Sequence, residues 1–233
     1  MAQVAAFFDF DGTLCTGQVW RGLGRWAQTF GRRRFVYLLA LRLWPGVIWP
    51  ISKARLLSEG AFFNLWGNGV ATFFRGLSYA QARAICRWVV EHEIIPTLRP
   101  DVVERLRQHQ AQGHAVVLVS GTLQEVLAEV ARHLGVSAVL ATPLEVCNGI
   151  CTGRLQGPFL YGHLKAHRIQ RFAQGYNPPL DLSLCWAYAD RRWDIPFLET
   201  AGLAVAVYPD KALLAYAGKK GWEVLGKRKG PPS

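Results

Sequence analysis

The chain lacks an apolar stretch long enough to cross a bilayer as one unbroken helix. Its longest candidate, Phe35 to Ile51, spans 17 residues and contains Arg42, Pro45 and Pro50, short of the ~20 residues a spanning helix needs and broken by proline. Cysteine is sparse and scattered: Cys15, Cys86, Cys147, Cys151 and Cys185 are odd in number and form no disulfide framework, which fits a reducing cytosol. Cys147 and Cys151 flank Asn148-Gly149, but no second ligand pair follows, so two thiols on a hairpin outrank a zinc site. A secretory leader is not expected either, because Asp9 and Asp11 interrupt the N-terminal apolar run. Internal repeats and low-complexity segments are missing as well. Acidic residues are few, 16 against 27 Lys and Arg for a net charge of +11, and none falls between Gly12 and Ser58.

What is present begins with Val4 to Phe8, an apolar, β-prone run that reads as a buried strand. Asp9-Phe10-Asp11-Gly12-Thr13-Leu14 follows at its end. Extended residues i and i+2 point to one side, so Asp9 and Asp11 converge. Gly12 lets the backbone turn and present its amides to the same place. Two like charges held together need a proton or a cation, and hard carboxylate oxygens suit Mg²⁺. The competing reading is an ordinary Asp-Gly turn with Asp capping the next segment.

Three later segments bear on that choice. Ala115 to Val119 is an apolar strand ending in Ser120-Gly121-Thr122. Lys165 lies in a helical stretch, His163 to Gln174. Leu184 to Ala189 runs into Asp190-Arg191-Arg192-Trp193-Asp194. Taken singly, Ser120 reads as a helix N-cap, Lys165 as a solvated helix residue, His163 and His167 as surface residues, and Asp190 and Asp194 as caps. Taken in order, with three of the four at strand carboxyl ends where α/β sheets bind ligands, the set resembles the haloacid dehalogenase (HAD) phosphatase superfamily. From about Pro96 onward the chain is similar to subfamily IB, the phosphoserine-phosphatase-like branch, through Ala141 to Glu145, Cys151 to Leu155, Tyr208-Pro209-Asp210 and Gly221-Trp222.

The resemblance implies a phosphomonoesterase with an α/β, Rossmann-like, mostly parallel sheet, flanking helices and an inserted helical cap. By it, Asp9 is the nucleophile that forms an aspartyl-phosphate, and Asp11 protonates the leaving alcohol and then activates water. Thr13, Ser120, Gly121 and Lys165 hold phosphate. Mg²⁺ is held by Asp9, the Asp11 carbonyl and Asp190, with Asp194 orienting this shell through metal-bound water.

Strand–helix alternation from 96 to 226 implies a parallel sheet with right-handed crossovers. Helices are expected at Val102 to Gln112 (capped by Asp101), Leu123 to Leu134, 163–174 and from Asp210. Strands are expected at Val136 to Ala141, 184–189 and Leu203 to Tyr208, with a hairpin over Leu144 to Leu155. The domain reading is a core of 1–14 and 96–226, a helical cap of 15–95 and a loose basic tail of 227–233. Arg21, Arg25, Arg32, Arg33, Arg34, Arg42, Lys53 and Arg55 are interspersed with Trp20, Trp26, Trp44 and Trp49 in that cap. Peripheral contact with an anionic membrane suits this pattern, but so do packing against the core and a solvated basic face. A nucleic-acid surface ranks last, since no recognisable binding module accompanies the charge.

The departures from the family pattern concern substrate. Phosphoserine phosphatases carry a Glu where this chain has Gln18, and a cap Arg near the place of Gly67 to Gly69; Arg75 is a substitute by another route. Arg191 or Trp193 stands where a small residue or Asn is usual. Phosphoserine is therefore disfavoured, and a larger or amphiphilic phosphate, including a lipid phosphate, fits the apolar, basic cap.

Overall fold

The structure is a computed structural model and describes residues 4–37, 58–136 and 138–227. Five strands alternate with helices in the main sheet and a sixth closes one edge: β1 (Ala5–Asp9), β2 (Ala115–Leu123), β3 (Ala138–Thr142), β6 (Trp186–Ala189), β7 (Leu203–Val207) and β8 (Glu223–Leu225). They lie in the order β3-β2-β1-β6-β7-β8, every pairing parallel. Between β3 and β6 a separate antiparallel hairpin forms from β4 (Leu144–Cys147) and β5 (Ile150–Leu155). Asn148 (φ 49°) and Gly149 (φ 77°) make its turn, the left-handed pair that a two-residue hairpin needs.

A parallel sheet is covered on both faces, and β1 shows how this sequence supplies both cores. Ala6, Phe8 and Phe10 enter one apolar cluster while Ala5 and Phe7 enter the other. Phe8 stacks on Tyr188 with ring centroids 4.2 Å apart, and Phe7 meets Phe172 edge-on. Each fully buried Phe removes enough apolar surface to contribute about 2–3 kcal/mol. Strand β2 lies on one side of β1 and β6 on the other, where the strand order reverses, so the crevice between their carboxyl ends is the natural ligand site.

Between β1 and α5 (Pro100–Ala111) the described insertion is helical: α1 (Val19–Thr29), α2 (Arg34–Tyr37), α3 (Glu59–Thr72) and α4 (Tyr79–Val89). Ser58 and Ser78 cap α3 and α4, the latter with a reciprocal box to Gln81. Helix α1 has a strongly one-sided apolar face, with Val19, Leu23 and Ala27 buried in the same cluster as Phe8. Residues 38–57, which hold Arg42, Trp44, Trp49, Lys53 and Arg55, lie outside the described residues. The expected tail is described only at its first residue, Lys227.

Several local expectations are corrected. Strand β2 does not stop at Val119 but continues through Ser120, Gly121 and Thr122, because Leu123 still pairs with Thr142 after a register shift. The next helix, α6 (Gln124–Leu134), therefore starts beyond Leu123, and Ser120 is not its cap. Helix α5 starts at Pro100, so Asp101 is inside its first turn and accepts a hydrogen bond from Tyr208 Oη (2.8 Å) instead of capping. The 184–189 strand is shortened to β6 by a tight turn at Leu182–Leu184. Strand β8 had no counterpart in the sequence reading. Helices α7 (Gly162–Gln174), α8 (Ile195–Leu198) and α9 (Lys211–Lys220, capped by Asp210) complete the fold.

Candidate active site

Asp9 ends β1 and is 3% exposed. Thr13 Oγ1 donates to its Oδ2 at 2.8 Å, and Lys165 Nζ donates to its Oδ1 at 2.7 Å. Thr13 is fully buried and spends its hydroxyl on Asp9, which fixes the carboxylate rotamer. Lys165 comes from the buried face of α7 and is also 2.8 Å from Asp194 Oδ1. The surface role considered for Lys165 fails on this burial, whereas His163 and His167, on the same helix, are exposed. Burial opposes the charge on Lys165, but Asp194 and Asp9 more than offset it and hold the ammonium above its ordinary range.

Asp11 stands at the mouth side of the same crevice, in contact with solvent yet walled by protein. Desolvation by those walls, with the charge of Asp9, raises its carboxyl to about 7. Ser120 Oγ donates to Asp11 Oδ2 at 3.3 Å and accepts from Thr122 N at 3.0 Å. Extended backbone through Ser120 thus brings it beside the β1 carboxylates, where a helix cap would have faced away.

Carboxylate oxygens of Asp9, Asp190 and Asp194 lie within 4.8 Å of one another. Asp190 follows β6 and pairs through Oδ2 with Arg191 Nε at 3.1 Å; Asp194 is raised to about 6, by burial first and by Asp9 besides. Neither aspartate caps through its side chain: Asp194 makes no cap bond, and Asp210 receives the Arg192 amide. Gly12 (φ +86°) faces this cluster, and a Cβ there would lie 2.5 Å from Asp190 Oδ2. Three hard oxygen donors in a cradle only glycine leaves open fit a small divalent cation such as Mg²⁺. Cys15, beneath the loop, is no rival nucleophile, because burial and then Asp11 push its thiol up.

A cavity of about 570 Å³ opens from these groups between the sheet edge and the insertion. Gln18, Trp20, Trp66, Phe63, Phe159 and Trp193 are among its lining residues. Phe63 stacks on Phe159 (5.7 Å) and packs against Tyr161 and Trp193. Gly67 also lines it, in contact range of Phe159 and Leu155: a Cβ would meet them at 2.5 and 2.7 Å. A cap arginine has no room there. Arg75 does not substitute for one, since it lines a separate polar depression with Asn68 and Arg154. Gly121 is required by the same aromatic wall, as its Cβ would clash with Phe159 at 2.1 Å.

Sequence reasoning missed the wall of Phe63, Phe159 and Tyr161, and it missed Arg99. The aromatics come from segments far apart in the chain and carry no common spacing. The asparagines of α3 were the available signal: Asn64 and Asn68, one helical turn apart, accept from Phe159 N (2.8 Å) and Leu155 N (3.1 Å) and hold that strap in place.

Comparison with known proteins agrees with this geometry. The family model described as haloacid dehalogenase-like hydrolase matches residues 6–199. Phosphoserine phosphatase SerB1 of Mycobacterium tuberculosis strain H37Rv is 34% identical over 227 residues, covering 94% of this chain and 70% of that protein. A probable phosphatase of the same strain is 33% identical over 226 residues, covering 96% and 75%. Among solved structures, a Bordetella pertussis Tohama I protein of unknown function superposes with a TM-score of 0.81 at 24% identity, covering 97% of this chain and 99% of that one. A phospho-aspartyl intermediate analogue of phosphoserine phosphatase gives 0.66 at 19% identity, covering 98% and 95%. These likenesses show the fold.

Proposed function

Since the chain belongs to the haloacid dehalogenase-like hydrolase family and is a phosphatase of the phosphoserine-phosphatase-like type, we propose that it hydrolyses amphiphilic phosphate monoesters through a phosphorylated Asp9. The observation that carries the reading is the pairing of Asp9 with Thr13 and Lys165 beside Asp190 and Asp194. Thr13 and Lys165 occupy both Asp9 oxygens in the resting site and aim the carboxylate along a fixed direction. Attack of an Asp9 oxygen on phosphorus forms the acyl-phosphate and releases the substrate alcohol. Asp11, protonated to a useful extent near neutrality, gives its proton to that alcohol oxygen. As the carboxylate it then takes a proton from the water that attacks the acyl-phosphate, which releases inorganic phosphate and restores Asp9. Ser120 and the Gly121 amide hold phosphoryl oxygens, and Lys165 neutralises charge shared between Asp9 and the phosphoryl group. Mg²⁺ would be held by Asp9, Asp190 and the Asp11 carbonyl, with Asp194 in direct or water-mediated contact, and would supply positive charge against the phosphoryl oxygens.

The substrate reading rests on the cavity. Among the described residues, no carboxylate lines it beyond Asp9, Asp11, Asp190 and Asp194, Gln18 supplies no charge for a substrate amine, and Gly67 stands where a cap cation would. A phosphoserine-like zwitterion is poorly served by such walls, whereas an apolar or aromatic body is well served. The test is phosphate release with Mg²⁺ over phospho-amino acids, sugar phosphates, nucleotides and lipid phosphates. Asp9→Asn is expected to abolish release with an unchanged circular dichroism spectrum, and chelator to abolish it reversibly. Turnover by Asp9→Asn, or full activity in excess chelator, overturns the mechanism.

A second reading, peripheral contact with an anionic membrane, is favoured by exposed aromatics beside arginines at the end of the first helices: Phe30 is 50% and Phe35 71% exposed, next to Arg32, Arg33 and Arg34. No helix among the described residues is long and apolar enough to cross a membrane. Wild type is expected to sediment with anionic vesicles at low salt, and the triple Arg32, Arg33, Arg34 to Gln variant to stay in solution. Wild type that ignores such vesicles removes this reading.

A further inference from the structure

Among the described residues, three side chains in the cavity carry a fixed positive charge: Lys165, Arg191 and Arg99. Lys165 is committed to Asp9 and Asp194, and Arg191 to Asp190. Arg99 is different. Among the described residues it forms no ion pair; its Nε donates to the Gly12 carbonyl at 3.3 Å, and its guanidinium also interacts with the Tyr208 hydroxyl. Its guanidinium carbon lies over the Tyr208 ring, 3.8 Å from the centroid. Tyr208 is itself fixed, with its hydroxyl on Asp101 Oδ2 and its other face against Gly226, where a Cβ would come within 2.4 Å of the ring. The Arg99 backbone is pinned too, its N–H donating to Leu14 O at 2.9 Å.

The outcome is an arginine held through its Nε and by Tyr208, half-buried in the cavity wall, with no carboxylate among the described residues paired to its terminal nitrogens. A guanidinium so oriented has already lost most of its rotamer freedom, so little more is lost when it grips a ligand. Two terminal N–H groups side by side suit the two oxygens of a carboxylate or phosphate. Resting on the phosphomonoesterase reading above, we infer that Arg99 determines specificity by binding a second oxyanion on the alcohol portion of the substrate. The substrate class is thus a phosphate monoester with an apolar body and a second anionic group.

The experiment compares three monoesters sharing one aromatic body: benzyl phosphate, 4-carboxybenzyl phosphate and 1,4-bis(phosphonooxymethyl)benzene. The readout is the ratio of kcat/KM for each dianionic probe to that for benzyl phosphate, in wild type, Arg99→Gln and Arg99→Lys. Wild type is expected to prefer at least one dianionic probe by roughly tenfold or more, the scale of a charge-assisted pair. The preferred probe tells carboxylate from phosphate. Arg99→Gln brings that ratio near one, and Arg99→Lys keeps part of it, since a point charge replaces the fork. A ratio of about one in wild type overturns the inference. So does a ratio that Arg99→Gln leaves unmoved, because Arg99 is then a strut for Gly12 or a contact to the transferring phosphoryl group. Should the Gln variant not fold, an unmoved ratio in Arg99→Lys overturns it equally. Binding of the matching phosphonates, followed by Trp20 and Trp66 fluorescence, separates the two readings: an Arg99-dependent preference in binding without turnover of any probe sustains the inference and defeats hydrolysis. Turnover without preference does the reverse.

Discussion

Gly12 and Gly149 show at the scale of single residues how the same backbone conformation serves different ends. Both have φ near +80°, a region side chains avoid. Beyond Gly149 there is open space, whereas Gly12 faces Asp190 at 2.5 Å from the place of a Cβ. Gly149→Asn should therefore cost less than about 1 kcal/mol, since Asn tolerates the left-handed region. Gly12→Ala carries both strain, on the order of 1–3 kcal/mol, and a displaced Asp190. Its expected signature is a Mg²⁺ requirement raised about tenfold or more, measured by activity against free Mg²⁺, alongside a lowered urea midpoint. A Gly12→Ala protein with a normal Mg²⁺ requirement removes Asp190 from the cation site. The sequence disclosed Gly12 through its place between two aspartates and a threonine. It marked Gly121 only through the phosphate-binding resemblance and gave no hint that Phe159, 38 positions downstream, leaves room for nothing larger there.

Among the elements, helix α5 and strand β6 share a buried polar chain. His109 Nε2 is 2.8 Å from Tyr188 Oη, and its Nδ1 is 2.9 Å from His114 Nδ1. Trp186 closes over both imidazoles, and Arg105 lies one turn back on the helix. Burial, then His114 and Arg105, push the His109 imidazole down to about 4, against about 6.5 in the unfolded chain. Between those two values the unfolded chain takes up a proton that the fold refuses, so stability falls as pH drops from about 6.5 to about 4. Above that window the group contributes no slope. The lost stability amounts to on the order of 3 kcal/mol for this one group. Urea unfolding at pH 7 and pH 4.5 should show a smaller acid loss in His109→Gln than in wild type; equal losses would mean that His109 is not buried neutral. At this scale the sequence was read well where apolar periodicity is strong, as in β1 and α7. It misread β2, because Ser120-Gly121-Thr122 has turn chemistry while pairing with β3 keeps it extended.

For the molecule as a whole, the question is what joins the inserted helices to the sheet. One joint is Glu129 of α6, 4% exposed, which receives Arg132 of its own helix at 3.1 Å and Arg87 and Arg83 of α4 at 3.4 and 3.7 Å. Burial works against this carboxylate, but the hydrogen bonds from Arg87 and Arg132 win and keep it below the ordinary range. Glu129→Gln should lower stability by about 1–2 kcal/mol and loosen α4, seen as a lower urea midpoint and faster amide exchange over Tyr79–Val89. Unchanged exchange there would leave the shared apolar cluster as the main joint. Mg²⁺ should raise Tm in wild type, since it binds only the assembled carboxylates, and do so far less in Asp190→Ala.

The division between sequence and tertiary structure follows from distance along the chain. Chemistry carried on neighbouring residues was legible in the sequence: Asp9, at the end of β1, and Asp11, in the turn just beyond it, are separated by one residue, and Asp190 directly follows the apolar run of β6. The α/β class followed equally, since alternating apolar strands and amphipathic helices leave a covered parallel sheet as the consistent packing. What lies around the phosphate end was decided only by the fold. Arg99, Tyr208, Phe159 and helix α3 with its Phe63 and Gly67 are far apart in the chain, and no local period relates α3 to the other three. Their meeting depends on how the insertion seats on the sheet, a sum of many side-chain contacts between distant segments, such as Glu59 with Arg192, 133 residues on. Reaction type was therefore legible before the structure, and the walls that select the substrate were not.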